Sequence, residues 1–222
     1  FDSAGQRCSA LRILCVQEDS AATVIKMLKG AMQQLIVGNP AILKTDIGPV
    51  IDTEAKQTID THIQKMRSKG YPVHQLMFND TASQQALAQG TFVPPTAIEL
   101  PNLDDLEREV FGPVLHIITY KYGELEQLID RINAKGYGLT MGLHTRIDET
   151  INTVIQRAEV GNLYINRNIV GAVVGVQPFG GEGLSGTGPK AGGPLYMYRL
   201  MEHCSDKVLA TPFAVKTEIS HF

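Results

Sequence analysis

Strand-like and helix-like segments alternate along most of this chain, and that alternation leaves few folds open. Leu11–Val16 reads as a strand, and Asp19 or Ser20 can cap a helix running to about Ile36, with Gly38 beyond its end. Ile51, Ala55, Ile59, Ile63 and Met66 recur at helical spacing and form one apolar face, ended by Gly70. Val73–Met77 and Phe92–Leu100 follow as strands. Pro94-Pro95 places the second at a sheet edge or entering from a loop, because proline cannot donate to a ladder. Asn102 can cap a short helix whose first turn carries Asp104, Asp105 and Glu107. Strands over Val114–Lys121, Leu139–Thr145 and Leu163–Asn166 then interleave with helices over Leu125–Ala134 and Asp148–Glu159. Strands separated by helices predict an α/β fold around a largely parallel sheet.

Composition narrows the function classes. The hydrophobic fraction of 43% and charged fraction of 19% are those of an ordinary globular protein. A net charge of −3 without a dense Lys/Arg block gives nucleic-acid binding no electrostatic support. No apolar stretch is long enough to span a bilayer. The three cysteines, Cys8, Cys15 and Cys204, form no CxxC pair, which suits a reducing compartment such as the cytoplasm and speaks against a disulfide framework or zinc site. The chain opens on Phe1-Asp2 and runs straight into a motif, so the expectation is a piece of a longer protein.

Three stretches could carry chemistry. Nine of the 21 glycines fall between Gly171 and Gly193, and Gly181–Gly186 spells GxGxxG. A dinucleotide fingerprint needs a strand before it and a helix after it, whereas Thr187-Gly188-Pro189 follows here. An anion-binding loop and a plain glycine-rich turn both remain open. Cys8 sits among small and polar residues at a loop-to-strand junction, where a thiol could be presented to a substrate. A free, unreactive cysteine is the alternative. Cys15 is flanked by apolar residues and reads as core, and Cys204 as incidental. Glu109 stands two residues before Phe111 at a helix-to-strand turn. A carboxylate can accept both hydroxyls of a ribose and a ring can pack on a planar group, or the pair is a helix-terminal Glu with a core Phe. The six histidines show no metal-binding spacing.

Taken in order, Gly5-Gln6-Arg7-Cys8-Ser9-Ala10, Glu109-Val110-Phe111-Gly112-Pro113-Val114, Asn133 with Tyr137-Gly138-Leu139, Pro178-Phe179-Gly180-Gly181 and Ser185-Gly186 resemble the aldehyde dehydrogenase superfamily. The opening SAGQRCSALR and the loop Leu184–Pro194 are most similar to its glutamate-semialdehyde branch, within that to the C-terminal part of bifunctional proline-catabolic enzymes. The resemblance implies a three-layer catalytic domain over residues 1–200 and an oligomerisation-type tail over 201–222. It implies Cys8 as nucleophile, with its backbone N–H as one oxyanion donor. Glu109 would hold the nicotinamide ribose of NAD and Phe111 would pack near the nicotinamide. Ser9, Gly192 and Gly193 would anchor the carboxylate of a small amino-acid aldehyde. Arg199-Leu200-Met201 stands where some members carry an aromatic. The family's dinucleotide-binding domain, general-base glutamate and oxyanion asparagine lie mostly N-terminal to the nucleophile, so this chain alone is expected to be inactive. FAD would belong only to a proline dehydrogenase part of a bifunctional parent, and a homo-oligomer is expected. An aldehyde dehydrogenase for another substrate, a non-catalytic assembly module and, more distantly, a Cys-His hydrolase are the competing readings.

Overall fold

A computed structural model of the chain describes residues 1–78, 84, 87–186 and 188–201. Cys204, His203, His221 and all of the expected tail except Met201 lie outside the described residues. The chain divides into two units, Phe1–Leu125 and the remainder from Glu126.

The first unit is built on a four-stranded sheet of β1 (Ile13–Gln17), β2 (Val73–Gln75), β3 (Thr96–Leu100) and β4 (Val114–Tyr120), in the order β1-β4-β3-β2. β4 pairs in parallel with both β1 and β3, and β2 closes the sheet antiparallel to β3. β4 is central and its residues Val114–Ile118 are all buried, as a near-continuous apolar run in a doubly covered strand requires. β3 lies inside the sheet rather than at its edge. Pro94 and Pro95 precede its first residue, Thr96, so neither ring interrupts the ladder.

Helix α1 (Glu18–Met32) covers one face. Its Ala21, Ile25 and Met32 form a core cluster with Val16, Ala97, Leu115 and Ile117. The helix starts directly after β1, with Glu18 and Asp19 in its first turn, and ends four residues short of Ile36. Helix α2 (Thr53–Ser68) covers the other face through Ile59, Ile63 and Met66. Asp52 caps it by accepting the Ala55 N–H at 2.7 Å. Ile51, the first member of the apolar series, stays outside the helix and exposed. At the far end Gly70 is left-handed (φ 80°), and the Tyr71 N–H to Met66 C=O and Gly70 N–H to Arg67 C=O bonds complete a Schellman stop. Asn102 caps the expected short helix, a single 3-10 turn over Leu103–Asp105.

In the second unit, α3 (Leu125–Ala134) leads to β5 (Tyr137–Gly138) and β6 (Thr140–Leu143). α4 (Asp148–Arg157) then crosses to β7 (Asn162–Ile165), parallel to β6, and β8 (Glu182–Gly183) pairs with β5. The Asn133 side chain ties this unit: Nδ2 donates to the Arg157 carbonyl at 2.8 Å and Oδ1 accepts the Glu159 N–H at 3.1 Å. No helix among the described residues is long and apolar enough to cross a membrane.

Candidate active site

The Cys8 segment is a bent loop with fixed ends. Ser3, Ala4 and Gly5 all take left-handed backbone angles, with φ of 53°, 52° and 65°. A Cβ on Gly5 would collide with the carbonyl of Gly112, so this glycine serves both the conformation and the close approach of the two segments. The Arg7 carbonyl accepts the Ala10 N–H at 3.1 Å, which puts Cys8 and Ser9 at the tip of a turn. Cys8 is exposed there, whereas Ser9 is buried. Gln6 pins the base of the turn: its Oε1 accepts the Ile51 N–H at 2.8 Å and its Nε2 donates to the Pro49 carbonyl at 3.3 Å.

Two arginines flank the thiol in sequence and do different work. Arg7 turns back on the loop, its Nε donating to Ser3 Oγ at 2.8 Å beside an ion pair to Asp2. Arg12, at 13% side-chain exposure, commits all three guanidinium nitrogens. Nη1 donates to the Gly5 carbonyl, Nη2 to the Arg7 carbonyl at 2.8 Å, and Nε to Glu109 Oε1 at 3.1 Å. Its Cζ also lies 4.4 Å from the centroid of the Phe111 ring. One planar fork thus spans the carbonyls before and within the Cys8 turn, a carboxylate and an aromatic face, a combination lysine cannot reproduce.

Glu109 and Phe111 sit in the irregular segment before β4. Phe111 is 46% exposed rather than a core residue, and Glu109 keeps Oε2 outside its ion pair. An exposed carboxylate oxygen beside an exposed ring fits ribose hydroxyls and a planar base.

Behind the turn, His116 on β4 is fully buried. Its backbone N–H donates to the Arg12 carbonyl at 2.9 Å, and its Nδ1 lies 3.1 Å from the same oxygen. Its Nε2 is 2.9 Å from Nε2 of His62 on α2. Desolvation pulls both imidazoles down to about 4, so the pair is neutral at pH 7. With Nδ1 donating to the carbonyl, His116 Nε2 accepts from His62. Cys15 on β1 has its thiol pushed up to about 11 by burial.

In the second unit the GxGxxG stretch forms a short antiparallel strand and a turn rather than a strand-to-helix nucleotide loop. β8 pairs with β5, the Leu184 N–H donates to the Gly136 carbonyl, and Ser185 Oγ accepts the Gly138 N–H at 3.1 Å. Phe179 and Ala191 exchange backbone bonds across the loop. Gly192 is left-handed (φ 76°), and the Gly193 N–H donates to the Lys190 carbonyl at 3.0 Å. An anion drawing on Gly193 must share or open that turn.

Sequence reasoning missed Arg12, Gln6 and the His62–His116 pair. Arg12 carried one signal, a charged residue at the mouth of an apolar strand, four residues after Cys8.

The aldehyde dehydrogenase family model matches residues 1–205. The bifunctional protein PutA of Salmonella typhimurium is 64% identical over 211 residues, covering 95% of this chain and 16% of that protein. The 1-pyrroline-5-carboxylate dehydrogenase of Geobacillus sp. is 35% identical over 204 residues, covering 91% of this chain and 38% of that protein. Among solved structures, a variant of proline utilization A (PutA) from Bradyrhizobium japonicum superposes with a TM-score of 0.81 at 51% identity, over 89% of this chain and 19% of that one. The chain therefore spans about a sixth of the length of the PutA relatives it matches.

Proposed function

The chain belongs to the aldehyde dehydrogenase family, and from that premise we propose that it is the nucleophile-bearing part of an NAD-dependent dehydrogenase that oxidises L-glutamate γ-semialdehyde to L-glutamate in proline breakdown. The observation that carries this reading is the exposed Cys8 at the tip of a turn tied through Arg12 to Glu109 and Phe111. The names of the PutA and 1-pyrroline-5-carboxylate dehydrogenase relatives supply the substrate class.

On this reading the Cys8 thiolate attacks the aldehyde carbon and the Cys8 N–H faces the oxyanion as it forms. Glu109 Oε2 accepts from ribose hydroxyls, and Phe111 borders the nicotinamide. NAD, when bound, supplies the acceptor for the hydride that leaves the thiohemiacetal. Water then hydrolyses the Cys8 thioester and frees the thiol. Ser9, Gly192 and Gly193 orient the substrate's carboxylate, the two glycines through backbone N–H groups. The base that activates water and the second oxyanion donor come from elsewhere in a longer, cytoplasmic and homo-oligomeric protein, so the 222-residue chain alone yields no NADH. FAD belongs to a proline dehydrogenase part of that parent.

The test is NADH formation from glutamate semialdehyde by the full-length enzyme, wild type against Cys8→Ser. We expect a loss of about a thousandfold or more in kcat, with NAD binding unchanged. A Cys8→Ser enzyme within about tenfold of wild type removes the covalent mechanism. Equal kcat/KM for aldehydes with and without an α-carboxylate removes the anchor.

A further inference from the structure

We propose that Arg12 is a positioning residue that couples the Glu109–Phe111 segment to the Cys8 turn. The inference rests on the cofactor reading of Glu109 and Phe111 given above and extends it to Arg12, the last residue of the opening SAGQRCSALR, to which the resemblance assigns no role.

The geometry is specific. Glu109 lies 97 positions along the chain from Arg12, yet a single guanidinium joins it to the Cys8 turn. Nε faces the carboxylate, while Nη1 and Nη2 hold the carbonyls of Gly5 and Arg7 on either side of Gln6. The face of the Phe111 ring lies against the same guanidinium. Neither end can shift without rotating the fork. The backbone at the root of the fork is held as well, because the Arg12 carbonyl bonds to the His116 backbone N–H and Nδ1. A ligand that draws on Glu109 or packs against Phe111 therefore acts on the two carbonyls that shape the thiol's turn. The coupling runs in both directions, as linkage demands.

Hydrogen exchange and thiol alkylation in the full-length enzyme test this. In wild type, saturating NAD slows amide exchange in peptides covering residues 5–12 as well as those covering 107–113. It also changes the rate of Cys8 alkylation by iodoacetamide, mapped by mass spectrometry, at least about threefold. In Arg12→Gln the alkylation rate with saturating NAD stays within about 1.5-fold of the rate without it. Arg12→Lys keeps the charge but not the fork and behaves as Arg12→Gln does. Protection confined to 107–113 in wild type overturns the coupling, and so does a full NAD effect in Arg12→Lys. The exchange result needs no variant, so a poorly folding Arg12→Gln does not shelter the proposal. A wild-type enzyme that binds no NAD overturns the functional reading itself. NAD binding without a response at residues 5–12 overturns Arg12 alone.

Discussion

Replacing Gly5 by alanine and Gly70 by alanine compares two left-handed glycines in the same unit, with φ of 65° and 80°. They differ in what a methyl group meets. At Gly70 nothing lies within 4 Å, so the substitution carries only the left-handed penalty, about 1–2 kcal/mol, less a few tenths regained from the stiffer unfolded chain. At Gly5 the same methyl falls on the backbone carbonyl of Gly112. Backbone cannot rotate aside as a side chain can, so the two segments must separate. Overpacking of that kind adds about 1–3 kcal/mol, for a total of roughly 2–5 kcal/mol. Urea unfolding followed by far-UV circular dichroism measures both variants on the same transition. Gly5→Ala should lose about 1–3 kcal/mol more than Gly70→Ala, a shift of roughly 5- to 150-fold in the folding equilibrium. Equal losses, within about 0.5 kcal/mol, would refute the interlocking of the Cys8 loop with the segment before β4.

Two further outcomes follow from side chains described above. His62 and His116 are held near 4 in the folded chain against an ordinary 6.5, so the unfolded chain takes up protons first as the pH falls. Stability from the neutral pair is fully present above pH 6.5 and declines towards pH 4, by up to ~1.4 kcal/mol per pH unit for each histidine. Urea midpoints between pH 7.5 and 4.5 should show that decline, shallower in His62→Gln, and a flat profile contradicts the buried neutral pair. Asn133→Ala removes the bonds to Arg157 and Glu159 and should cost ~1–3 kcal/mol in the second unit, read by thermal unfolding. A loss below ~0.3 kcal/mol would show that solvent replaces the clamp.

Much of the fold was legible because its signals are local. Leu125–Ala134 is found where its apolar spacing and Gly136 place it, and Asn102 and Gly70 act as their residue types suggest. Errors came where tertiary setting overrides a local rule. Of the two settings that Pro94-Pro95 allowed, the loop entry holds and the edge does not: the strand begins at Thr96, just past both prolines, and lies inside the sheet, and the strand expected from Phe92 starts four residues later. Ile51 fitted the apolar series but stands before the Asp52 cap, with its N–H taken by Gln6. At the site, Cys8, Glu109 and Phe111 were legible as motif members. Arg12 closed the opening motif without a role of its own, and the histidine pair belonged to none. Their meaning lies in partners 97 and 54 positions away, and no periodicity records such separations.

The pairing that builds the site also sets when it can exist. Arg12 and His116 are 104 residues apart, and β1 finds β4 only after the intervening helices and strands have been made. Closing a loop of that length is entropically unfavourable and slow, and contacts of high sequence separation form late. During synthesis the Cys8 segment emerges before β4 and lacks the Glu109 carboxylate, the His116 groups that bond the Arg12 carbonyl and the Gly112 backbone until that strand arrives. A nascent chain thus carries the thiol without the frame that aims it, and presentation of the Cys8 thiol becomes a late event of folding rather than a property of the local sequence.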